Sequence, residues 1–234
     1  MRLAHSEHIP WSDVHGVHGA AGVSNWKQLV HGHALHGPWE AVELARIPAG
    51  GVSGTHHHTR TNELYFVLSG DARFVINETE FSMPAGHLAV TARGDRHGLR
   101  ATVDGPVTWL VVEVPDTQPP GAGEAKEEPM KPTLGPVDLN IVSRLDLAGH
   151  GVSPLDSVGL LRLDSGEKAE LVADDSEIFC YLVAGSATAT AEGQDHILTV
   201  GCGATLTLGE RTVVTATAPA RLFWVRSRVE EHPS

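Results

Sequence analysis

Two histidines and a glutamate lie close together in residues 50–70, which read GGVSGTHHHTRTNELYFVLSG. In a β-strand, residues two apart point to the same face, so His56 and His58 would project together while His57 points away. If the chain turns after His58, Glu63 returns on the neighbouring strand and faces the same side. Two imidazoles and one carboxylate that converge on one spot form a ligand set for a divalent metal ion.

A second stretch supplies a candidate for a fourth ligand. Residues 86–101 read GHLAVTARGDRHGLRA, in which a strand-like apolar run and a turn precede His97. Antiparallel strands that close into a barrel turn every second side chain inward, so ligands from distant positions can meet at one ion. His97 is therefore a candidate ligand.

The spacing of these residues resembles the two signature motifs of the cupin superfamily. Five residues match the first motif, separated by five, one, four and six residues: Gly50, His56, His58, Glu63 and Gly70. The match covers every position of that motif.

The second motif is matched with two departures. Gly86, Gly94 and His97 fall on its positions, whereas Ala92 stands where the family usually has proline and Ala101 where it often has asparagine. Neither departure affects a metal ligand. The resemblance implies that one divalent transition metal ion per chain is bound by His56, His58, Glu63 and His97.

Nitrogen and oxygen donors without a thiolate suit several metals. Fe(II), Mn(II), Co(II), Ni(II), Cu(II) and Zn(II) all accept three imidazoles and one carboxylate, and we favour Fe(II). In an octahedral shell two positions stay open for water, substrate or dioxygen. A small molecule that chelates through two oxygen atoms, such as a hydroxy-ketone, a diketone or a catechol, would suit such a centre.

The resemblance implies several activities on one scaffold, since fold alone does not settle function. We expect a metal-dependent oxygenase of the dioxygenase type that acts on a small organic molecule. The alternative is a metal-dependent isomerase, lyase or cyclase that uses the metal as a Lewis acid. A second alternative, from another class, is a non-catalytic protein that binds a small molecule.

Three further residues flank the motifs. Tyr65 follows Glu63 by two positions and would face the same interior, so we predict it as a catalytic residue that donates a hydrogen bond to a bound oxygen. A packed tyrosine whose hydroxyl is satisfied elsewhere is the other interpretation. Arg60 and Arg96 would lie on loops at the barrel mouth, where they either attract an anionic substrate or remain solvated.

The second half of the chain resembles the first. Residues 178–185, IFCYLVAG, echo residues 64–70, and more short strands follow, which indicates an internal duplication. With Gly185 set on Gly70 and Gly203 on Gly86, the four ligand positions hold Leu171, Ala173, Ile178 and Val214. A shift of one residue recovers Glu177 but no histidine. We therefore expect a second cupin domain that binds no metal.

These observations predict an all-β protein with two jelly-roll-like cupin barrels, which leave few exposed sheet edges. The expected domains are a His-rich N-terminal extension at 1–38, a metal-binding cupin domain at 39–114, a linker at 115–136 and a degenerate cupin domain at 137–234. The barrels would pack together as two subunits of a dimeric cupin do. The chain would be monomeric or form a homodimer.

Composition restricts the possible partners. The 234 residues carry a formal net charge of −12, which repels nucleic acid and anionic membranes. No apolar run is long enough to span a bilayer, and the N-terminus lacks the apolar core of a secretion signal. Cys180 and Cys202 are too few for a disulfide framework. We expect a cytoplasmic protein whose partner is a small-molecule substrate.

Seven histidines of the N-terminal stretch remain unassigned. Within residues 31–36, HGHALH, the spacing could suggest a second metal site, but no acidic residue or cysteine accompanies it. Surface or strand positions are the other interpretation. Residues 26–33 could also form a strand that covers the barrel and carries histidines to the metal pocket as proton carriers.

Strand alternation generates a first prediction. Alanine at position 56 or 58 should remove bound metal, because each change deletes a ligand, whereas His57→Ala should retain it. Metal analysis of the three purified variants measures the difference. Equal loss in all three would mean that this segment is not a regular strand.

Overall fold

The computed structural model describes residues 1–32, 35–117 and 134–229. Antiparallel strands dominate this part of the chain, so the all-β prediction is confirmed. Two single 3₁₀ turns occur, at Ser6–His8 and Val17–Gly19. Most of the predicted linker, His33 of the histidine cluster and the last five residues of the predicted second domain lie outside the described residues. No helix in the described ranges is long and apolar enough to cross a bilayer.

Eleven strands lie before residue 117 in the described residues. In chain order they are β1 Arg2–His5, β2 Ser12–His15, β3 Val23–His31, β4 Ala41–Ile47, β5 Val52–His57, β6 Thr61–Ser69, β7 Asp71–Ile76, β8 Thr79–Pro84, β9 His87–Thr91, β10 Arg96–Ala101 and β11 Val107–Pro115. The described residues after 133 form β12 Leu134–Asp138, β13 Arg144–Asp146, β14 Leu155–Leu163, β15 Lys168–Val172, β16 Ser176–Ala191, β17 Gln194–Leu198, β18 Cys202–Leu206 and β19 Arg211–Arg228.

The strands form two barrels. The first barrel consists of a seven-stranded sheet in the order β12-β9-β6-β11-β4-β3-β2 and a four-stranded sheet in the order β5-β10-β7-β8. The second barrel is one eight-stranded sheet, in which β1-β18-β16-β19-β14-β13 are neighbours while β15 pairs with β19 and β17 with β16. Its long strands β16 and β19 bend through both walls, so the two walls form a single sheet.

From β5 to β10 the two halves repeat with a constant offset. Adding 115 to a residue number in this range gives its counterpart in the second half, so β9 at 87–91 corresponds to β18 at 202–206. Gly70 and Gly185 occupy the same corner, with φ of +84° and +82°. A side chain at either position would also collide with the backbone of residue 106 or 219. The duplication inferred from the sequence is thus retained strand by strand.

The N-terminal residues are more regular than the sequence suggested. β2 and β3 extend the seven-stranded sheet of the first barrel, because β3 pairs with β4 along most of its length. β1 instead pairs with β18 of the second barrel. These strands of the predicted extension at 1–38 are therefore parts of the two barrel sheets, and the domain limits themselves stay predictions.

Each barrel also receives a strand from the other half of the chain. β12, which begins the described residues after 133, pairs with β9 of the first barrel, just as β1 pairs with β18 of the second. β9 and β18 are equivalent strands under the 115-residue offset. The exchange covers one edge of each main sheet and ties the two halves together.

Alternation along β6 separates the barrel interior from the contact between barrels. Tyr65 and Val67 lie in the hydrophobic cluster inside the first barrel, whereas Leu64 and Phe66 belong to the cluster that joins the two barrels. Phe66 stacks on Phe223 of β19, with ring centroids 4.6 Å apart and an interplanar angle of 17°. One face of the sheet therefore shapes the interior and the other buries the partner barrel.

Glu177 of β16 is a fully buried carboxylate on the interface side. It accepts hydrogen bonds from the backbone N–H of His36 (2.9 Å) and of Gly37 (2.8 Å), and from the indole Nε1 of Trp39 (3.1 Å). Its neighbour Ile178 lies in the interior cluster of the second barrel. Glu177 thus connects the second barrel to the segment before β4, and it does not face the second barrel's interior.

This arrangement predicts a stability defect. Glu177→Ala should lower the free energy of unfolding by roughly 2–4 kcal/mol, because three donors, two of them buried, would lose a charged acceptor. Chemical denaturation measures the change. Glu170→Ala, at an exposed position of β15, is the matched control and should stay within about 0.5 kcal/mol of wild type. Equal stability of the two variants would show that the 36–39 segment rearranges without cost.

Candidate metal centre

The four predicted ligands come together inside the first barrel. His56 on β5 pairs in register with His97 on β10, His58 follows directly after β5, and Glu63 lies on β6 of the other sheet. Each of the four side chains offers one ligand atom, and these atoms all lie within 4.8 Å of one another. Their role as metal ligands stays a prediction, but the structure brings all four to one place.

A bulge in β10 belongs to this geometry. The register of β10 against β5 shifts between His97 and Leu99. Gly98 sits at the shift, and a Cβ there would lie 3.0 Å from two atoms of Thr55. A bulge changes the direction of the side chain beside it, and glycine allows this close approach of the strands without displacing Thr55. The glycine after His97 is therefore part of the support for the site.

The contacts of Glu63 show that the cluster suits a cation. Its Oε1 atom lies 2.7 Å from His58 Nε2, and its Oε2 atom lies 3.0 Å from His97 Nε2. Within the described residues, Glu63 Oε1 and His58 Nε2 are buried and neither forms a hydrogen bond. A carboxylate oxygen and an imidazole nitrogen that face each other this closely are two donor atoms that one bound metal ion can satisfy. The residues present therefore fit a divalent metal.

Hydrogen bonds on the far side of the rings hold the histidines in place. His56 Nδ1 donates to the carbonyl of Gly54 at 3.0 Å, which leaves Nε2 as the free acceptor. His58 Nδ1 lies 2.8 Å from the hydroxyl of Thr61. Such partners set the tautomer and orientation of a ligating imidazole. Burial lowers the pKa of His56 to about 4, so its ring is neutral and ready to bind metal at neutral pH.

Charge is concentrated on Glu63, which is 1% exposed. Burial acts to raise the pKa of Glu63, but its contacts with His58 and His97 outweigh burial and hold the pKa well below the usual range. The carboxylate is therefore ionised and supplies the negative charge of the cluster.

Tyr65 holds this carboxylate. Its hydroxyl donates to Glu63 Oε2 at 2.7 Å and lies 2.9 Å from His97 Nε2. Burial, followed by the charge of Glu63, raises the pKa of Tyr65 well above its ordinary value, so the hydroxyl keeps its proton. Tyr65 thus orients Glu63. The predicted hydrogen bond from Tyr65 to a substrate stays a prediction and would require the hydroxyl to leave Glu63.

Two interior glutamates were missed from the sequence. Glu113 of β11 pairs in register with Glu63, and Glu43 of β4 pairs with Val111 on the same inner face. Burial and the charge of Glu63 raise the pKa of Glu113 to about 9 and also raise that of Glu43. The alternation of each strand could have revealed them, because Glu43 and Glu113 occupy inward positions that otherwise hold apolar residues.

His18 was also missed. It lies in the 3₁₀ turn Val17–Gly19 and stacks on His56, with ring centroids 3.4 Å apart and an interplanar angle of 8°. In the sequence it is one of many N-terminal histidines, and no spacing distinguishes it. Only the docking of the turn onto β5 brings it to the site.

Other candidates lie outside the cluster. His57, His31 and His36 are exposed. Arg60 forms a two-pronged ion pair with Glu40, at 2.8 and 2.9 Å, and Arg96 is exposed. The described residues contain no second group of at least three histidine, cysteine or acidic side chains at metal-binding distance.

The equivalent positions of the second barrel cannot hold a metal. Leu171 pairs with Thr212 as His56 pairs with His97, so Thr212 takes the place of His97. The alignment that placed Val214 there is wrong by two residues, because Gly201, not Gly203, has the left-handed φ of Gly86 (+93° and +89°). Leu171, Ala173 and Ile178 occupy the other three positions in the apolar interior.

Comparison with known proteins identifies the first barrel. Residues 43–113 match the cupin domain family. An oxalate-binding protein of Thermotoga maritima is 24% identical over 110 residues, which cover 47% of this chain and 91% of that protein. Residues 43–113 therefore form a cupin domain, and the chain as a whole has the bicupin fold, which means two cupin barrels in one chain. In this bicupin, the only ligand group found in the described residues lies in the N-terminal barrel.

Solved structures resemble the bicupin over both barrels. Protein Ylba of E. coli has a TM-score of 0.78 at 10% identity and covers 99% of this chain and 92% of its own. A deletion mutant of oxalate decarboxylase OxdC of Bacillus subtilis has a TM-score of 0.70 at 13% identity. The match covers 100% of this chain and 78% of that protein. Salicylate 1,2-dioxygenase of Pseudoaminobacter salicylatoxidans has a TM-score of 0.67 at 15% identity. The match covers 86% of this chain and 73% of that protein. At these identities the similarity concerns the fold.

The raised pKa of Glu113 predicts a pH effect on the metal-free bicupin. Between its unfolded value near 4.5 and its folded value of about 9, the folded protein holds a proton that the unfolded chain has lost. The contribution of Glu113 to stability is therefore present at low pH and is lost as the pH rises toward 9. Wild type should lose thermal stability between pH 7 and 9 relative to Glu113→Gln, which has no such proton.

Thermal unfolding of chelator-treated protein measures this effect. Burial also raises the pKa values of the thiols Cys180 and Cys202, so the difference between wild type and Glu113→Gln, in which their effect cancels, isolates Glu113. Glu80→Gln on exposed β8 is the control and should follow wild type at every pH. A constant difference between wild type and Glu113→Gln would contradict the assignment of a proton to Glu113.

Proposed function

We propose that the bicupin is a metal-dependent oxygenase acting on a small, uncharged or weakly acidic molecule that chelates through two oxygen atoms. The observation that carries the proposal is the polarity of the barrel interior beside the ligand cluster. Glu113, Glu43 and Gln28 share the inner face of the sheet with Glu63. Acidic and amide groups suit hydroxyl and carbonyl oxygens, whereas the charge of a dianion would exceed the one net positive charge that a divalent metal and the Glu63 carboxylate would carry together.

The cations of the first barrel are placed elsewhere. Lys27 donates to the carbonyl of Ser6 between the barrels, and Arg93 pairs with Asp116. The other described arginines between β3 and β11 are exposed: Arg46, Arg60, Arg73, Arg96 and Arg100. Among the described residues, no lysine or arginine therefore faces the ligand cluster to compensate a doubly charged substrate.

The chain's own groups prepare the site for this chemistry. A bound divalent metal such as Fe(II) would polarise the substrate oxygens and permit reaction with dioxygen. Tyr65 fixes the orientation of Glu63, and His56 presents a neutral nitrogen without having to lose a proton. Phe74 and Trp109, both fully buried, belong to the apolar cluster inside the barrel and exclude water from it.

The second candidate is a metal-dependent lyase such as a decarboxylase. It is favoured by the 24% identity to an oxalate-binding protein, which extends over nearly the whole of that relative. A divalent metal and the Glu63 carboxylate would together carry one net positive charge, so one of the two negative charges of oxalate would stay uncompensated and would be repelled by Glu63. That repulsion is our reason for ranking the lyase below the oxygenase.

Metal analysis and an oxygen electrode separate the candidates. Natively purified protein should contain about one metal ion per chain. After loading with Fe(II) it should consume oxygen in the presence of a diketone or a catechol and leave oxalate unchanged. Carbon dioxide release from oxalate without oxygen uptake would favour the lyase. Tight binding of the chelators without turnover of any of them would favour a binding protein.

Glu63→Gln tests the ligand set directly. The variant keeps the size and one oxygen donor but removes the negative charge, so metal should bind at least about tenfold more weakly and oxygen uptake should fall accordingly. Glu80→Gln, which alters an exposed carboxylate of the same barrel, should change neither. Unchanged metal affinity in Glu63→Gln would mean that the site is formed by the three histidines alone.

A further inference from the structure

The turn Val17–Gly19 lies against β5 beside the ligand cluster. Gly19 N–H bonds to the carbonyl of Gly16 at 2.9 Å, and Ala20 N–H bonds to the carbonyl of Val17 at 3.1 Å. The Val17 side chain is buried and anchors the turn. The turn therefore holds the intervening residue, His18, in a defined position over the site.

Both sides of this contact are specialised. His18 has φ +51° and ψ +37°, a left-handed conformation that is unfavourable for a non-glycine residue. Opposite it, a Cβ at Gly54 would lie 2.3 Å from the carbonyl oxygen of His18, so only glycine permits the approach. Unfavourable backbone that the surrounding structure maintains is concentrated at functional sites.

The stacked geometry excludes His18 as a further ligand of the same ion. Its ring is nearly parallel to that of His56, at a centroid separation of 3.4 Å. A metal in the plane of the His56 ring would lie about that far from the plane of His18, whereas an imidazole binds metal within its own ring plane. His18 therefore stands beside the site and outside the ligand set.

His18 nevertheless has the surroundings of a group that contacts a ligand. Its ring lies against that of His56, while the residue stays exposed to solvent. Within the described residues, no hydrogen bond is formed by either of its ring nitrogens. A polar ring next to the ligand cluster with unused hydrogen-bonding capacity is available to a bound molecule.

We propose that His18 is a substrate-contacting residue, whose imidazole forms a hydrogen bond with an oxygen of the chelating molecule held at the ligand cluster. The inference rests on the proposed function, since it assumes that a small oxygen chelator binds there. It assigns the β2–β3 connection a direct part in the site of the first barrel.

Two substitutions separate hydrogen bonding from ring packing. His18→Phe keeps an aromatic ring to stack on His56 but removes both nitrogens. His18→Asn keeps hydrogen-bonding groups and tolerates the left-handed backbone better than most residues. His57→Phe, on the exposed side of β5, is the matched control. Thermal unfolding first establishes that each variant is folded.

The probe is 4-nitrocatechol, whose visible spectrum changes when it coordinates a metal. With metal-loaded protein, His18→Phe should keep the wild-type metal content while its dissociation constant for 4-nitrocatechol rises about tenfold, the loss of one hydrogen bond. His18→Asn should recover part of this affinity, and His57→Phe should match wild type.

Each other result overturns the inference. Wild-type affinity in His18→Phe would show that His18 only packs on His56, and loss of metal in that variant would show that it acts by holding the ligand ring. Failure of wild-type, metal-loaded protein to bind 4-nitrocatechol would also refute it. Failure of the oxygenase proposal is distinguishable, because absent oxygen uptake with intact, His18-dependent chelator binding leaves the contact standing.

Discussion

The first barrel depends on one buried negative charge. A carboxylate that is 1% exposed, as Glu63 is, must be compensated by partners or lose its charge. His58 and His97 approach its two oxygens, and Tyr65 donates to one of them. Glu113 lies directly opposite on the next strand, and burial together with the charge of Glu63 raises its pKa, so that it keeps a proton. The interior is therefore organised outward from this carboxylate.

The second barrel shows what the same strands do without that constraint. Ile178 replaces Glu63, and Leu171 packs opposite Thr212 where two histidines face each other in the first barrel. The acidic residue of β16, Glu177, points instead to the contact between barrels and binds the segment before β4. One half of the duplicated chain thus holds the polar site, while the other contributes hydrophobic packing and connections.

The exchanged strands explain why the halves cannot be described as simply successive domains. β1 completes a sheet of the second barrel and β12 a sheet of the first. Strand propensity and alternation identify such segments as strands, but they do not state which edge each will join. That choice depends on where the chain lies after both barrels have closed.

The sequence by itself determined the fold class, the duplication and the four residues that converge at the centre. Spacing carries this information because side chains alternate along a strand and the motifs place turns at set distances. The absence of histidine at the equivalent strand positions in the second half also required no structure. The exact alignment of the second half with the first did require the structure, because only the backbone conformation shows that Gly201, and not Gly203, corresponds to Gly86.

Tertiary structure alone decided which distant residues complete the site. Glu43, Glu113 and His18 lie far from the motifs in sequence, and no local pattern pairs them with Glu63 or His56. The first two reach the site through strand register, and His18 through the docking of a turn onto Gly54. Contacts of this kind arise from barrel closure and close packing, which depend on the whole chain and not on the spacing within any one segment.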